Sequence, residues 1–115
     1  MGNPNQLEEM LKAAIQLELP KLAPHLRAWV ESHLTTPRAL DLFTSPEGPE
    51  FLEFILVTDY TRRKDASYRI VFNPRTKKFG LETTIEGGRC WFLGDDGSFS
   101  ETVENSVSWM QWNQE

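Results

Sequence analysis

Residues 67–86 read SYRIVFNPRTKKFGLETTIE. Apolar side chains recur at every second position on either side of a turn: Tyr68, Ile70 and Phe72 before it, Phe79, Leu81 and Ile85 after it. A period of two places each set on one face of a strand. Between them, Asn73-Pro74-Arg75-Thr76 suits a type I turn with proline at its second position. Strands joined by so short a loop pair antiparallel, because a parallel pair needs a long crossover connection. The stretch therefore predicts a hairpin with strands over 67–73 and 77–86.

The same reading extends outward. The period of two begins at Arg38 and predicts further strands over about 38–44, 50–60 and 89–94. Turn-forming residues separate them: Thr44-Ser45-Pro46-Glu47-Gly48-Pro49, the polar loop from Thr61 to Ala66, and Gly87-Gly88, which suits a tight primed turn with positive φ. Short loops between successive strands make an antiparallel meander.

Upstream, the period is helical. Leu7, Met10, Leu11, Ala14 and Ile15 form one stripe over 5–19, with Asn5 and Glu8 spaced as a capping box. Pro20 stops or kinks this helix. Leu22, Leu26, Trp29, Val30 and His33 share a face of a second helix, which Thr35-Thr36-Pro37 ends because the residue before a proline avoids the α region. Downstream, Gly94-Asp95-Asp96-Gly97 ends the last strand. Ser98 and Glu101 form a capping box that opens a helix over about 98–112, with Phe99, Val103, Val107 and Met110 on one face. The expected fold is α+β in a single domain over 1–115: an N-terminal helical pair, a five-stranded antiparallel β-meander, and a C-terminal helix packed on the sheet.

One sheet face is expected to lie under the helices, collecting Leu52, Phe54, Leu56 and Tyr60 with the apolar residues of the hairpin. Each large side chain buried there contributes roughly 1.5–3 kcal/mol. The opposite face, with Phe51, Glu53, Ile55, Val57, Asp59, Arg69 and Val71, is more apolar than a solvated face requires. It reads either as half-buried beneath a crossing helix or as a surface for a partner or a second copy of the chain.

Composition narrows the function class. The 115 residues are 39% hydrophobic and 11% aromatic, with four Trp and seven Phe, which excludes a wholly disordered chain. No run approaches the roughly 20 apolar residues of a membrane span. The N-terminal segment carries Glu8 and Glu9 without a basic start, so no signal peptide is expected. The single cysteine, Cys90, excludes an internal disulfide and a cysteine-built zinc site. These features point to the cytoplasm.

The net charge of −5 is uneven. Residues 62–78 hold seven bases (Arg62, Arg63, Lys64, Arg69, Arg75, Lys77, Lys78) against one acid, Asp65, while the chain on both sides is acidic. In a meander the loop at 62–66 and the turn at 73–76 lie at opposite ends of one strand, about 20 Å apart. That exceeds a Debye length of about 8–10 Å, so the bases do not act as one field, and nucleic-acid binding is not expected.

Catalytic and metal chemistry find little footing. Cys90 lacks any signature that would pair it with His25 or His33, and as a strand residue beside Trp91 it reads as a small hydrophobe. His25 and His33 are eight apart, a poor metal spacing on helices. Asp95 and Asp96 lack the spacing of a calcium loop and read as a turn and helix-start pair. Phosphate-loop, dinucleotide, zinc-protease and hydrolase-elbow motifs are all missing from the sequence. No catalytic, metal or cofactor residue is nominated, and no cofactor is expected.

The expectation is a small acidic protein that works by protein–protein contact and masks a basic partner, more a binder than an enzyme. Its anchors would be Phe51, Ile55, Val57, Val71, Trp91 and Trp112. Asp95, Asp96, Glu101 and Glu104 would steer a basic partner. Bacterial immunity proteins and acidic secretion chaperones share this profile, by analogy of size and charge alone. The alternatives are a small-molecule or catalytic pocket lined by Tyr60, Tyr68, Trp91 and Arg69, or a homodimer.

Overall fold

Helix α1 (Pro4–Glu18) buries Leu11 and Ile15, and a single 3₁₀ turn over Leu19–Lys21 follows it. Extended backbone at Leu22 (φ −88°, ψ 149°) then breaks the path, so the N-terminal pair is two helices rather than one kinked helix. Pro24 opens α2 (Pro24–His33), in the first turn where its missing N–H is not needed. The computed structural model describes the backbone at residues 4–45, 47–58, 61–62, 66–85 and 90–110, and side chains over 6–45, 47–58, 69–83 and 90–105. Helix α1 begins at Pro4, so Asn5 lies inside its first turn and is not its cap; the Gly87-Gly88 turn and the side chains of Val107 and Met110 lie outside those limits.

From α2 the chain passes directly into strand β1 (Leu34–Phe43), four residues earlier than the period predicts. The β-branched Thr35 and Thr36 and the pre-proline position all favour extended backbone. The remaining elements are β2 (Phe51–Thr58), the two-residue β3 (Thr61–Arg62), β4 (Ala66–Asn73), β5 (Lys78–Ile85), β6 (Cys90–Gly97) and α3 (Phe99–Met110). The fold is α+β as expected, with helices at both ends of an antiparallel sheet. The five long strands pair in chain order, β1–β2, β2–β4, β4–β5 and β5–β6, all antiparallel.

The meander also closes. Phe43 of β1 pairs in parallel with Trp91 of β6. Five alternating strands leave the first and the last running the same way, so the joint has to be parallel. Phe43 ends β1 whereas Trp91 lies near the start of β6, the stagger that a closed barrel requires. The β5–β6 register shifts at Phe79/Gly80 and Leu81/Glu82, and Gly94 and Gly97 take positive φ (127° and 130°). These bulges bend β6 and carry the strand through Gly97, past the point where the sequence reads as its end.

The closed sheet has two buried sides. Inside lie Leu42, Phe54, Leu56 and Val71, with Leu40, Cys90 and Phe92 against them. The rings of Phe54 and Phe92 meet at 4.4 Å. Arg75, from the β4–β5 turn, lies 4.6 Å above the Phe54 ring and donates to the Glu53 carbonyl at 2.8 Å. The inside also holds an ion pair: Arg69 and Glu82 are cross-strand partners, with Nε and Oε1 2.7 Å apart and Glu82 fully buried. Outside, Leu11, Ile15, Leu26 and Val30 of the helical pair and Phe99 and Val103 of α3 cover Ile55, Val57, Ile70, Phe72, Phe79 and Leu81. Phe99 meets Phe79 edge-on at 5.5 Å.

The expected faces therefore hold for β4 and β5 but not for β2. Ile55 is partnered with Phe72 and Leu56 with Val71, so Ile55 and Val57 lie under the helices while Phe54 and Leu56 point inward. The unbroken run Phe54-Ile55-Leu56-Val57-Thr58, all buried, carries no alternation from which a phase could be read. The β4–β5 turn is also longer than expected. It spans residues 74–77, with the Lys77 N–H donating to the Asn73 carbonyl at 2.8 Å and Lys77 in the left-handed region at φ 64°.

Candidate functional site

Helix α1 lies against the start of β1, where Leu34 packs on the core and residues 34–37 line a groove with Lys12, Ile15 and Gln16; among the described residues the end of β1 and the start of β2 are left open on their outer side. Register places three pairs there: Ala39 opposite Ile55, Asp41 opposite Glu53, and Phe43 opposite Phe51. Ile55 is the one that reaches under the helices; Asp41, Glu53 and Phe51 are exposed. The Phe43 and Phe51 rings meet edge-on at 6.0 Å and 74°. Phe51 is 57% exposed, and its neighbour Leu52, at the barrel's mouth, is 44% exposed. Trp91 stands beside Phe43 across the parallel joint and extends the aromatic row.

Among the described residues, the charged pair on this wall is acidic on both strands. Like charges directly opposite on neighbouring strands destabilise a sheet. Asp41 and Glu53 nevertheless face each other, and neither forms an ion pair among the described residues. Residues 39–53 contain Asp41, Glu47, Glu50 and Glu53 and no lysine or arginine. The connecting loop is held by the Thr44 N–H donating to the Glu50 carbonyl at 3.1 Å and the Gly48 N–H donating to Ser45 Oγ at 2.8 Å.

Of the anchors expected from sequence, Phe51 is exposed and Trp91 half-buried on this wall. The Trp91 indole N–H is buried and meets no acceptor among the described residues. Ile55 and Val57 are buried under the helices and Val71 inside the barrel, so none of the three offers a surface. Trp112 lies outside the described residues.

The steering acids gather elsewhere, at the β6–α3 junction, and much of their chemistry is local. Ser98 and Glu101 form the predicted capping box: the Ser98 N–H donates to Glu101 Oε1 at 3.0 Å and the Glu101 N–H to Ser98 Oγ at 3.2 Å. The Ser98 N–H holds the Glu101 carboxyl below its ordinary pKa. Asp95 accepts from Asn73 Nδ2 at 3.2 Å. Partial desolvation pushes the Asp96 carboxyl up, with Asp95 and Glu101 adding to the rise against a bond from Asn105. Glu104 is exposed on α3. An open groove of about 520 Å³ beside this junction is lined by Lys77 and Lys78 as well as Glu18 and Glu101. This end is therefore mixed in charge. Sequence reading placed Glu53 on the possible partner face but missed Asp41, because only the β1–β2 register sets the two side by side.

Two of the four residues named for a possible pocket have described side chains. Arg69 points into the barrel and Trp91 out of it, while the side chains of Tyr60 and Tyr68 lie outside the described residues. His33 stacks on Trp29 at 3.7 Å, its Nδ1 2.9 Å from the Trp29 carbonyl. Among the described residues no group of three or more His, Cys, Asp or Glu is placed to hold a metal, and no helix is long and apolar enough to cross a membrane. Comparison with known proteins finds no matching family model, no matching curated protein and no matching solved structure.

Proposed function

We propose that this protein is a contact module that binds and masks a basic protein partner through the bare wall of β1 and β2. The observation that carries this reading is the hairpin over residues 39–53: four acids, no base, and Phe51 and Leu52 left exposed beside them. Apolar anchors rimmed by charge are what transient protein interfaces use. Among the described residues, Phe54 and Phe92 pack ring to ring inside the barrel with Leu42, Leu56 and Val71 around them, which supports a surface function.

Affinity capture from lysate of the source organism tests it, with wild type and the Asp41→Lys/Glu53→Lys variant run side by side at low and moderate salt. The expected outcome is one stoichiometric basic protein, held by wild type at low salt, released at moderate salt and lost with the variant. Recovery of the same proteins by both baits would overturn the reading. So would recovery of the bait alone, and light scattering would then decide whether the surface serves a homodimer. Once the partner is in hand, its association rate should fall steeply between low and moderate salt.

A further inference from the structure

Resting on that reading, we infer that the bare β1–β2 wall recognises arginine, and that the partner docks an arginine side chain over Phe51 between Asp41 and Glu53. Two features of the wall fit a guanidinium better than an ammonium. Side chains directly opposite on antiparallel strands have Cβ atoms about 4.5–5.5 Å apart, so the Asp41 and Glu53 carboxylates can both be reached by one planar, multiply donating head group. The next pair along the same wall is Phe43 and Phe51, whose edge-on contact leaves the more exposed ring, Phe51, with a face to stack against. Guanidinium stacks on aromatic faces as well as bonding carboxylates, whereas ammonium acts as a strongly hydrated point charge.

The chain already stacks a guanidinium on a ring of β2. Arg75 lies over the Phe54 ring at 4.6 Å while donating to the Glu53 carbonyl. That arginine bonds the backbone of Glu53, whose carboxylate is in no ion pair among the described residues. Residues 39–53 carry four acids and no base, although Arg38 precedes them on β1 and Arg75 reaches the Glu53 carbonyl; a second copy of this segment would be repelled, and a cationic chain is the complementary occupant.

Titration of the protein with end-capped hexa-arginine and, separately, hexa-lysine tests this, read by calorimetry and by the backbone amide shifts of residues 39–53. Hexa-arginine should bind about five- to ten-fold more tightly. Phe51→Ala, at an exposed position, should erase that difference, and Asp41→Asn/Glu53→Gln should weaken both peptides. Equal affinities in wild type, with shifts still on 39–53, would overturn arginine recognition and leave the basic-partner reading standing. Failure of both peptides to bind, or shifts confined to the β6–α3 junction, would overturn the two together.

Discussion

A methyl group added at Gly80 would fall 2.9 Å from ring atoms of Phe92 and collide with the Gly94 carbonyl oxygen. Gly80 lies inside the barrel, and the Phe92 ring takes the space its side chain would fill. Gly80→Ala should therefore lower stability by about 1–3 kcal/mol, read as a shift in the urea midpoint; an unshifted midpoint would mean that Phe92 is not where the barrel puts it. In the sequence Gly80 is a gap on a polar-looking face, and nothing in that pattern points to a ring from a strand twelve residues on. Glu18 is a second residue whose role only the fold reveals. Lys21 above all, with Ser100, holds its carboxyl down from 4.5 to about 2. Its Oε1 accepts from the Ser100 N–H at 3.2 Å and from Ser100 Oγ at 2.8 Å, tying α1 to the start of α3. Because the folded pKa is depressed, this stabilisation is complete above about pH 4.5 and is lost as pH falls towards 2. Glu18→Gln should have a lower urea midpoint than wild type at pH 7, and the gap should close over that acid range.

Among the elements, β2 is where register matters most. Phe54 faces the barrel interior and Ile55 the helices, so both truncations should be costly, Phe54→Ala by about 3–5 kcal/mol and Ile55→Ala by about 2–5 kcal/mol. Phe51→Ala, on the bare wall, should change stability little, because most of its surface is already in water. Denaturant titration of the three separates a two-sided strand from one with a single buried face. The sequence shows that β2 is apolar but not which residue faces which way, since a fully buried run has no polar beat to set its phase. Helix α3 is the opposite case. Its capping box is visible as Ser98 and Glu101 at the right spacing, and the structure forms both bonds. Ser98→Ala should cost about 0.5–2 kcal/mol. The β4–β5 hairpin was legible for the same reason: its signals are local in sequence.

At the scale of the molecule, closure was not legible. Among the described residues the joint of β1 to β6 is the pair Phe43–Trp91, 48 positions apart and without a sequence pattern of its own. Closure is also what turns one sheet face into an interior, filled by Phe54, Phe92 and the Arg69–Glu82 pair, and leaves the wall of β1 and β2 as the aromatic surface outside. The net charge of −5 says only that the protein favours cationic neighbours. Where that preference is focused depends on which acids local bonds already engage. At the β6–α3 junction they are capped, bonded or neighboured by Lys77 and Lys78; on the wall of residues 39–53, Asp41 and Glu53 face each other and neither is in an ion pair among the described residues. Hydrogen–deuterium exchange on the complex with the captured basic partner separates the two surfaces most directly. Slowed exchange confined to residues 39–53 and the neighbouring start of β6 is the expected footprint. A footprint on Asp95–Glu104, with residues 39–53 exchanging as in the free protein, would contradict it.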